Sequence, residues 1–445
     1  MSVPAQRPPA AVPDGRRPLP PAGGGDLVAA GQVCTPTPRD YRPEIAGAAL
    51  EEALAGRPAE AALALKVRLP FCRQACRVCT SRRVPSRDSR QAEPYLSRLD
   101  REMVLARRRL AGLPAVTRLH WGGGAPAFLA LDQMSDLFDR LDARFGLSGT
   151  RERDFSIELD PREADMLTLR HLQALGFNRL TLGVTELDPR VQQAINRVQP
   201  RALTEALVDE ADRLGFRELT LTVMLGLPFQ TPTGLADTLE QLIAMAPARI
   251  RLARYDHHPE RHPDQRAIHR DWLPNAASRG RLVAEARQRL AAAGYVHVGL
   301  GLHARPDDRL ARALADASLG HGPLGFSAGP AGDLLGLGVG ATTRLGDLWV
   351  RNAEALGDYE AALDAGRLPT AAGCHLDDAG RRRRALLEGL LGGTGITLAE
   401  TSAAGLLALL AEGLVERLGE TLRLTEAGRW RLPRVLEGLG ALPDA

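Results

Sequence analysis

Three cysteines lie in the run Leu-Pro-Phe-Cys-Arg-Gln-Ala-Cys-Arg-Val-Cys, residues 69–79. Cys72, Cys76 and Cys79 are spaced C-x3-C-x2-C and follow at once on the strand-like run Leu63–Leu69. Thiolates are soft ligands suited to iron–sulfur chemistry, and three from one tight loop can hold three irons of a cubic [4Fe–4S] cluster. The fourth iron is then left without a protein ligand, open to a small molecule. Other uses of the three thiols fit less well. A structural zinc site needs four ligands, and no histidine lies between Cys34 and His120 to supply a local fourth. Disulfide pairing is disfavoured by an odd number of cysteines, five, in a 445-residue chain without secretory features. Cys34 and Cys374 stand alone and read as ordinary thiols.

An open iron can chelate the amino and carboxylate groups of S-adenosylmethionine, which sets up reductive cleavage to a 5′-deoxyadenosyl radical. The loop resembles that of the radical SAM enzymes, whose chemistry this is. Three further motifs agree with it. Trp121-Gly122-Gly123-Gly124-Ala125-Pro126 closes a second strand-like run, and missing Cβ atoms let a ligand approach the backbone. Its amides and carbonyls are expected to hold the methionine end of the cofactor. Ser156-Ile157-Glu158-Leu159-Asp160-Pro161 closes a third run with two carboxylates. Such a group accepts hydrogen bonds from a ribose or an ammonium; a strand-end capping acid is the plainer alternative. Gly226-Leu227-Pro228 closes a fifth run, where adenine would lie against the backbone.

These motifs recur because β-runs alternate with amphipathic stretches. The expected strands are Leu63–Leu69, Val116–Trp121, Asp154–Leu159, Arg179–Val184, Glu218–Leu225 and Ile250–Arg254. Between them the apolar period predicts helices over Glu93–Leu110, Asp132–Arg144, Ala164–Leu175, Ala202–Leu214 and Gly234–Met245. Repeated strand–helix alternation implies parallel strands joined by right-handed crossovers. The fold class is α/β, a partial (β/α)6 radical SAM barrel with a small C-terminal helical, winged-helix-like domain. Chemistry would sit at the C-terminal ends of the strands, where the cysteine loop, Gly122–Gly124 and Glu158 fall.

Residues 1–26 are rich in Pro, Gly and Ala without periodicity and read as a disordered tail. Residues 27–358 form the expected catalytic domain, in which the glycine-rich stretch from Gly299 to Gly346 is expected to close or lid the open side. Residues 359–445 form the expected C-terminal domain, with helices over Asp378–Leu391 and Ala403–Leu410. A hairpin, Leu414–Leu418 against Leu422–Leu424, and a last helix follow. Winged-helix folds often bind DNA, but no strongly basic recognition helix is present, so a packing or substrate-covering role is expected.

Composition removes other classes. A net charge of +3 argues against a general polyanion binder. Mean hydropathy is −0.17, and no stretch approaches the ~18 apolar residues of a membrane span. Met-Ser-Val-Pro-Ala-Gln-Arg-Pro-Pro at the N-terminus lacks the apolar core of a secretory signal. A reducing, cytoplasmic location is therefore expected. Almost all basic residues are arginine, and Lys66 is the only lysine. Arg107–Arg109 and Arg381–Arg384 lie in helical patterns and read as solvated faces. His257, His258 and His262 share a proline-broken loop and read as exposed side chains, not as a metal site.

Val67-Arg-Leu-Pro-Phe-Cys, His120-Trp-Gly-Gly-Gly, Ile157-Glu-Leu-Asp-Pro-Arg, Gly176-Phe-Asn-Arg-Leu, Asn196-Arg, Gly226-Leu-Pro and Ala304-Arg-Pro-Asp-Asp follow one another in a set order. With Leu414-Val-Glu and Leu424-Thr-Glu-Ala-Gly-Arg, this series resembles the oxygen-independent coproporphyrinogen III oxidases over roughly residues 35 to 440. The resemblance implies oxidative decarboxylation of two propionates of coproporphyrinogen III to vinyls, giving protoporphyrinogen IX in haem synthesis. A deoxyadenosyl radical would take a hydrogen from the propionate β-carbon, with loss of CO2 and one-electron oxidation to follow. It further implies a cluster on Cys72, Cys76 and Cys79, and one or two S-adenosylmethionine molecules contacted by Val78, Gly123, Gly124, Ala125, Glu158 and Arg197. An electron donor such as flavodoxin or ferredoxin, a monomeric state, and no nucleic-acid or membrane partner are implied as well.

Departures from the family pattern fall around the same site. Ser81 stands where the family has a fourth cysteine, and Lys66 where it has a tyrosine. Thr185 and Thr222 occupy the positions of a cofactor-contacting glutamine and aspartate. Asp256 and Thr342 stand where the family has small or apolar residues near the cofactors, and Gly301-Leu302-His303 replaces Asp-His-Phe. Backbone contacts survive such changes; side-chain contacts do not. Two alternatives therefore stand beside the oxidase: a divergent paralogue that keeps the cofactors but acts on another substrate, and a related haem-binding chaperone. The chaperones' His-Asn-x-x-Tyr-Trp motif has no counterpart here. Arg254, ending the sixth strand, and Arg305, in Ala-Arg-Pro-Asp-Asp, are the expected partners of substrate carboxylates.

Overall fold

The computed structural model describes residues 36–150, 152–397 and 403–441. The expected tail and Cys34 lie outside these residues. Six strands pair in chain order and all in parallel: β1 (Ala62–Leu69), β2 (Ala115–Gly123), β3 (Asp154–Leu159), β4 (Arg179–Thr185), β5 (Glu218–Leu225) and β6 (Arg249–Arg254). Helix α1 (Gly47–Ala55) precedes them. The crossovers carry α2 (Glu93–Arg109), α3 (Leu131–Phe145), α4 (Met166–Ala174), α5 (Pro189–Ala194) with α6 (Arg201–Arg213), and α7 (Pro232–Ala244).

Strict alternation fixes which face each strand turns to the helices. Phe155, Ile157 and Leu159 of β3, Leu180, Leu182 and Val184 of β4, and Ile250 and Leu252 of β6 are buried in one core. The helices supply matching stripes, such as Met134, Leu137, Leu141 and Phe145 of α3. The intervening positions, among them Glu158, Thr181, Thr222 and Arg251, line a cavity on the inner face. Buried parallel strands usually read as continuous apolar runs. These alternate because their inner face is wet.

The glycine-rich stretch 299–346 adds strands to both edges of the six-stranded unit and is more than a lid. β7 (Val296–Gly299) and β8 (Leu302–Ala304) extend the sheet antiparallel beyond β6. The hairpin of β9 (Gly320–Gly322) and β10 (Gly325–Ser327), with Leu302 and Leu310, contributes wall to the cavity. On the other edge β11 (Asp333–Leu337) lies parallel to β1, and β12 (Thr342–Leu345), β13 (Leu348–Asn352) and β14 (Thr370–His375) continue antiparallel. The result is a 12-stranded sheet ordered β14-β13-β12-β11-β1-β2-β3-β4-β5-β6-β8-β7. Its glycines serve tight strand packing: a Cβ on Gly336 would lie 2.3 Å from the carbonyl oxygen of Thr342.

Helix α8 (Ala276–Ala292) packs on α7, and α9 (Arg309–Ala315) follows β8. Tyr359, where the sequence pattern changes, lies inside α10 (Leu356–Asp364) and is buried in the main core. A second core joins β7, β8 and α9 to α11 (Asp378–Gly392), α12 (Ala403–Ala411), the hairpin of β15 (Val415–Leu418) and β16 (Thr421–Leu424), α13 (Glu426–Trp430) and α14 (Leu432–Gly438). Val298 and Leu302 meet Leu390, Leu409 and Leu432 there, so the C-terminal helices and β-wing are anchored on the sheet edge.

Candidate active site

The inward positions of β1–β6 enclose a cavity of about 630 Å³. Its floor, at the N-terminal ends of the strands, is closed by ion pairs. Arg249 grips Asp308 through Nε at 2.9 Å and Nη2 at 3.0 Å, and reaches Glu218 at 2.5 Å. Arg309 bridges Asp154 at 2.8 Å and Glu218 at 2.5 Å. Arg179 contacts Asp154 and lies 3.3 Å from Glu218.

At the opposite end the cysteine loop is pinned by its neighbours. The Arg77 amide donates to the Ile195 carbonyl at 2.9 Å, and Asn196 Nδ2 donates to the Ala75 carbonyl at 2.8 Å. The Arg73 guanidinium donates to the carbonyls of Ala127 (2.8 Å) and Phe128 (2.9 Å). Three further guanidiniums face the thiols. Arg162 Nη2 lies 3.0 Å and Arg197 Nη1 3.4 Å from Cys76 Sγ, and Arg83 sits against Cys79. Cations beside a thiol favour the thiolate, the form that ligates metal. Burial, with Glu163 adding, pushes the Cys72 thiol up to about 12. Among the described residues no three His, Cys, Asp or Glu side chains gather closely enough to hold a single metal ion. Three half-buried thiols that feel one another's charge without converging on one point fit a multi-iron cluster. The donor set therefore suits the iron–sulfur group and not zinc.

Beside the loop, Asp160 is clamped by Arg162 at 2.6 Å and Arg197 at 2.7 Å. Burial alone would raise its carboxyl, but the two guanidiniums outweigh it and hold it at about 2. Glu158 is wetted by the cavity yet surrounded by protein. Burial works against its charge, and His120 at 3.6 Å, Lys66 and Arg251 together hold it down at about 2. Gly122 makes room for this pair, since a Cβ there would lie 2.8 Å from His120 Nε2 and 2.9 Å from Glu158 Oε2.

The structure brings Lys66, Gly124, Glu158, Thr185, Arg197 and Thr222 to the cavity wall. Thr185, a β-branched residue, has φ +72° at the end of β4, a conformation that favours glycine. Such strain persists where the surroundings dictate it, often at functional sites. Gly123 has φ +108°. The amides of Gly124 and Ala125 donate to the carbonyls of Leu69 (2.7 Å) and Phe71 (2.8 Å). These two amides hold the cysteine loop, which leaves the carbonyls of the run to meet a ligand. Val78 is buried behind the loop with Val191, Ile195, Leu227, Tyr255 and Ile268. Ser81 lies just past the loop, its carbonyl 3.7 Å from Cys79 Sγ.

Other expected residues lie elsewhere. Asp256 pairs with Arg254 at 2.7 Å, and Thr342 starts β12; neither is on the cavity wall. Arg305 is at the wrong end of the barrel: its amide donates to the Ala248 carbonyl (3.0 Å), just before β6, and its side chain pairs with Asp307 at 3.2 Å. Because β8 runs antiparallel to β6, it carries the chain back to the start of that strand. His258 and Glu260 pair at 3.1 Å on the surface. Arg118, Arg251 and Arg162, the partner of Asp160, were not anticipated as site residues. The signal was present in β6, where Arg-Ile-Arg-Leu-Ala alternates cations with apolar residues.

Three comparisons bear on this geometry. The radical SAM superfamily model matches residues 67–242. The oxygen-independent coproporphyrinogen III oxidase of Pseudomonas aeruginosa is 39% identical over 337 residues, 76% of this chain and 72% of that protein. That of Cereibacter sphaeroides is 33% identical over 384 residues, 84% and 85% respectively. The solved structure of the Escherichia coli coproporphyrinogen III oxidase (HemN), described as a radical SAM enzyme, superposes with a TM-score of 0.86 at 30% identity, covering 92% of this chain and 96% of that one. The chain belongs to the oxygen-independent coproporphyrinogen III oxidase family of the radical SAM superfamily, a family whose chemistry calls for a [4Fe–4S] cluster and S-adenosylmethionine.

Proposed function

We propose that this family member converts coproporphyrinogen III to protoporphyrinogen IX without oxygen, by oxidative decarboxylation of two propionates to vinyl groups. The observation that carries the reading is one barrel mouth that combines a C-x3-C-x2-C loop faced by three guanidiniums with a cation-lined cavity of about 630 Å³. Cys72, Cys76 and Cys79 are assigned to the cluster. When bound, cluster and S-adenosylmethionine supply a radical able to take a hydrogen atom from a propionate β-carbon. The chain's own residues prepare the site for it. Arg162 and Arg197 place their guanidiniums against the Cys76 sulfur, and ionised Asp160 fixes both of them. Glu158, ionised at every physiological pH, accepts hydrogen bonds from an ammonium or a ribose. Thr185, Thr222 and Arg197 shape the cofactor side of the wall, Gly123, Gly124 and Ala125 anchor the loop to β2, and Val78 backs it. The ion-paired floor closes the far end against bulk water.

The half-exposed thiol loop leaves the cluster within reach of a docking electron donor of the flavodoxin or ferredoxin type. Monomeric action in a reducing cytoplasm belongs to the same reading, and no helix of the described residues is long and apolar enough to cross a membrane. The test is anaerobic reconstitution, followed by measurement of 5′-deoxyadenosine release and of coproporphyrinogen consumption. Both are expected. Deoxyadenosine release without loss of coproporphyrinogen would replace this reading with the divergent paralogue.

A further inference from the structure

Six cations line the cavity: Lys66, Arg118, Arg179, Arg197, Arg249 and Arg251. Three of them are matched, Arg179 and Arg249 in the floor and Arg197 on Asp160. Lys66, Arg118 and Arg251 make no hydrogen bond or ion pair with any described residue. Lys66 points inward from β1, in register with His120 on β2 and Gly336 on β11. Arg251 points inward from β6, in register with Thr222 on β5 and Leu302 on β8. Its Nη2 reaches the β9–β10 hairpin, 3.7 Å from where a Cβ on Gly325 would stand. Arg118 lies below them at the level of the floor, in register with Asp154 on β3, with Asp154 and Arg309 as its charged neighbours.

Arg251 is exposed to the water of the cavity, and Lys66 and Arg118 are half-buried. Cations held in one space without an opposite charge in contact cost free energy, the more so the less water reaches them. Burial lowers the basicity of all three, and the repulsion between Lys66 and Arg251 adds to it for Lys66. Glu158 is the one acid that Lys66 and Arg251 share, and it lies within hydrogen-bonding reach of neither. Such an arrangement makes sense when an anion arrives.

We propose that Lys66 and Arg251, with Arg118 beneath them, form a carboxylate-binding subsite in the middle of the barrel, separate from the contacts around the cluster loop. The identity of the ligand rests on the reaction proposed above. A porphyrinogen bearing several propionates would place a non-reacting arm here while the reacting arm stays at the mouth. S-adenosylmethionine carries a carboxylate too, so the two sources must be told apart.

The test uses the anaerobically reconstituted full chain and three probes: coproporphyrin III, followed by its fluorescence; its uncharged tetramethyl ester; and S-adenosylmethionine, followed by equilibrium binding. Arg251→Gln is expected to weaken coproporphyrin binding about tenfold or more, as loss of a charge-assisted contact does, and to leave the ester unaffected. Arg251→Lys should keep most of the affinity. The ligand-free Arg251→Gln protein should melt no lower than the parent, because it loses an uncompensated charge. If Arg251→Gln and Lys66→Met weaken S-adenosylmethionine binding instead, the subsite stands and the carboxylate is the cofactor's. If the parent protein neither binds coproporphyrin nor consumes coproporphyrinogen, the proposed reaction falls. Thermal shift with tricarballylate on parent and variants then decides the subsite alone. Unchanged carboxylate binding in the Arg251→Gln, Lys66→Met double variant, or a lowered melting point of ligand-free Arg251→Gln, overturns it.

Discussion

The two ends of the barrel are built from the same residue types and are used in opposite ways. At the floor, Arg179, Arg249 and Arg309 meet Asp154, Glu218 and Asp308 in a closed network, and each charge has an opposite partner within hydrogen-bonding distance. In the middle layer Lys66 and Arg251 face an open cavity and share only Glu158 at longer range. On β6 two residues separate the sets: Arg249 in the floor from Arg251 in the cavity. Saturated charges seal and hold; unsaturated ones wait for a ligand. Counting arginines does not distinguish them, whereas asking which guanidiniums lack a carboxylate does.

That contrast can be broken at several points. The largest effect should come at the mouth. Cys76→Ala is expected to reduce iron from about four per reconstituted chain to almost none and to abolish deoxyadenosine release; a normal cluster in that variant would remove the assignment. At the floor, Arg249→Gln leaves Glu218 and Asp308 short of a buried partner and should cost about 3–5 kcal/mol of stability. Denaturant unfolding would show it, and a loss no greater than that of Arg251→Gln would erase the distinction between the two layers.

Asp160 offers a pH version of the same contrast. Its carboxyl is held at about 2 against an ordinary 3.8. A depressed carboxylate stabilises the fold above its unfolded pKa, and that contribution is lost as pH falls through the folded value. Stability should therefore keep this contribution, about 2 kcal/mol, from pH 8 down to pH 5 and lose it between about pH 4 and 2. Asp160→Asn should lack that acid-dependent portion; an unchanged acid limb would show that the clamp on the cysteine loop contributes nothing. The smallest effect concerns Ser81. Restoring the family's cysteine with Ser81→Cys should raise coproporphyrinogen turnover severalfold while deoxyadenosine release stays within about twofold, a difference of roughly 1 kcal/mol in barrier. Equal changes in both rates would place residue 81 in cofactor handling, not in substrate oxidation.

Local signals carried far in this chain. The period of two in β3, Asp-Phe-Ser-Ile-Glu-Leu, fixed the strand to its ends and put Glu158 on the inner face. The period of the helices, the C-x3-C-x2-C spacing and the Trp-Gly-Gly-Gly run were equally legible, because each depends on residues a few positions apart. The tertiary structure decided what depends on distant partners. β11 inserts beside β1, with Leu63 opposite Asp333, and nothing within either run announces the other. The reversal at β8 carried Arg305 to the N-terminal end of β6, outside the cavity. The chain at Leu69 and Phe71 presses on Gly124, a reason for its smallness that no local pattern reveals. Sequence alone determined the strands, the thiol loop and the family. Only the closing of the sheet decided which inward charges find one another and which are left facing the cavity, since that pairing is set by register across strands and not by spacing along the chain.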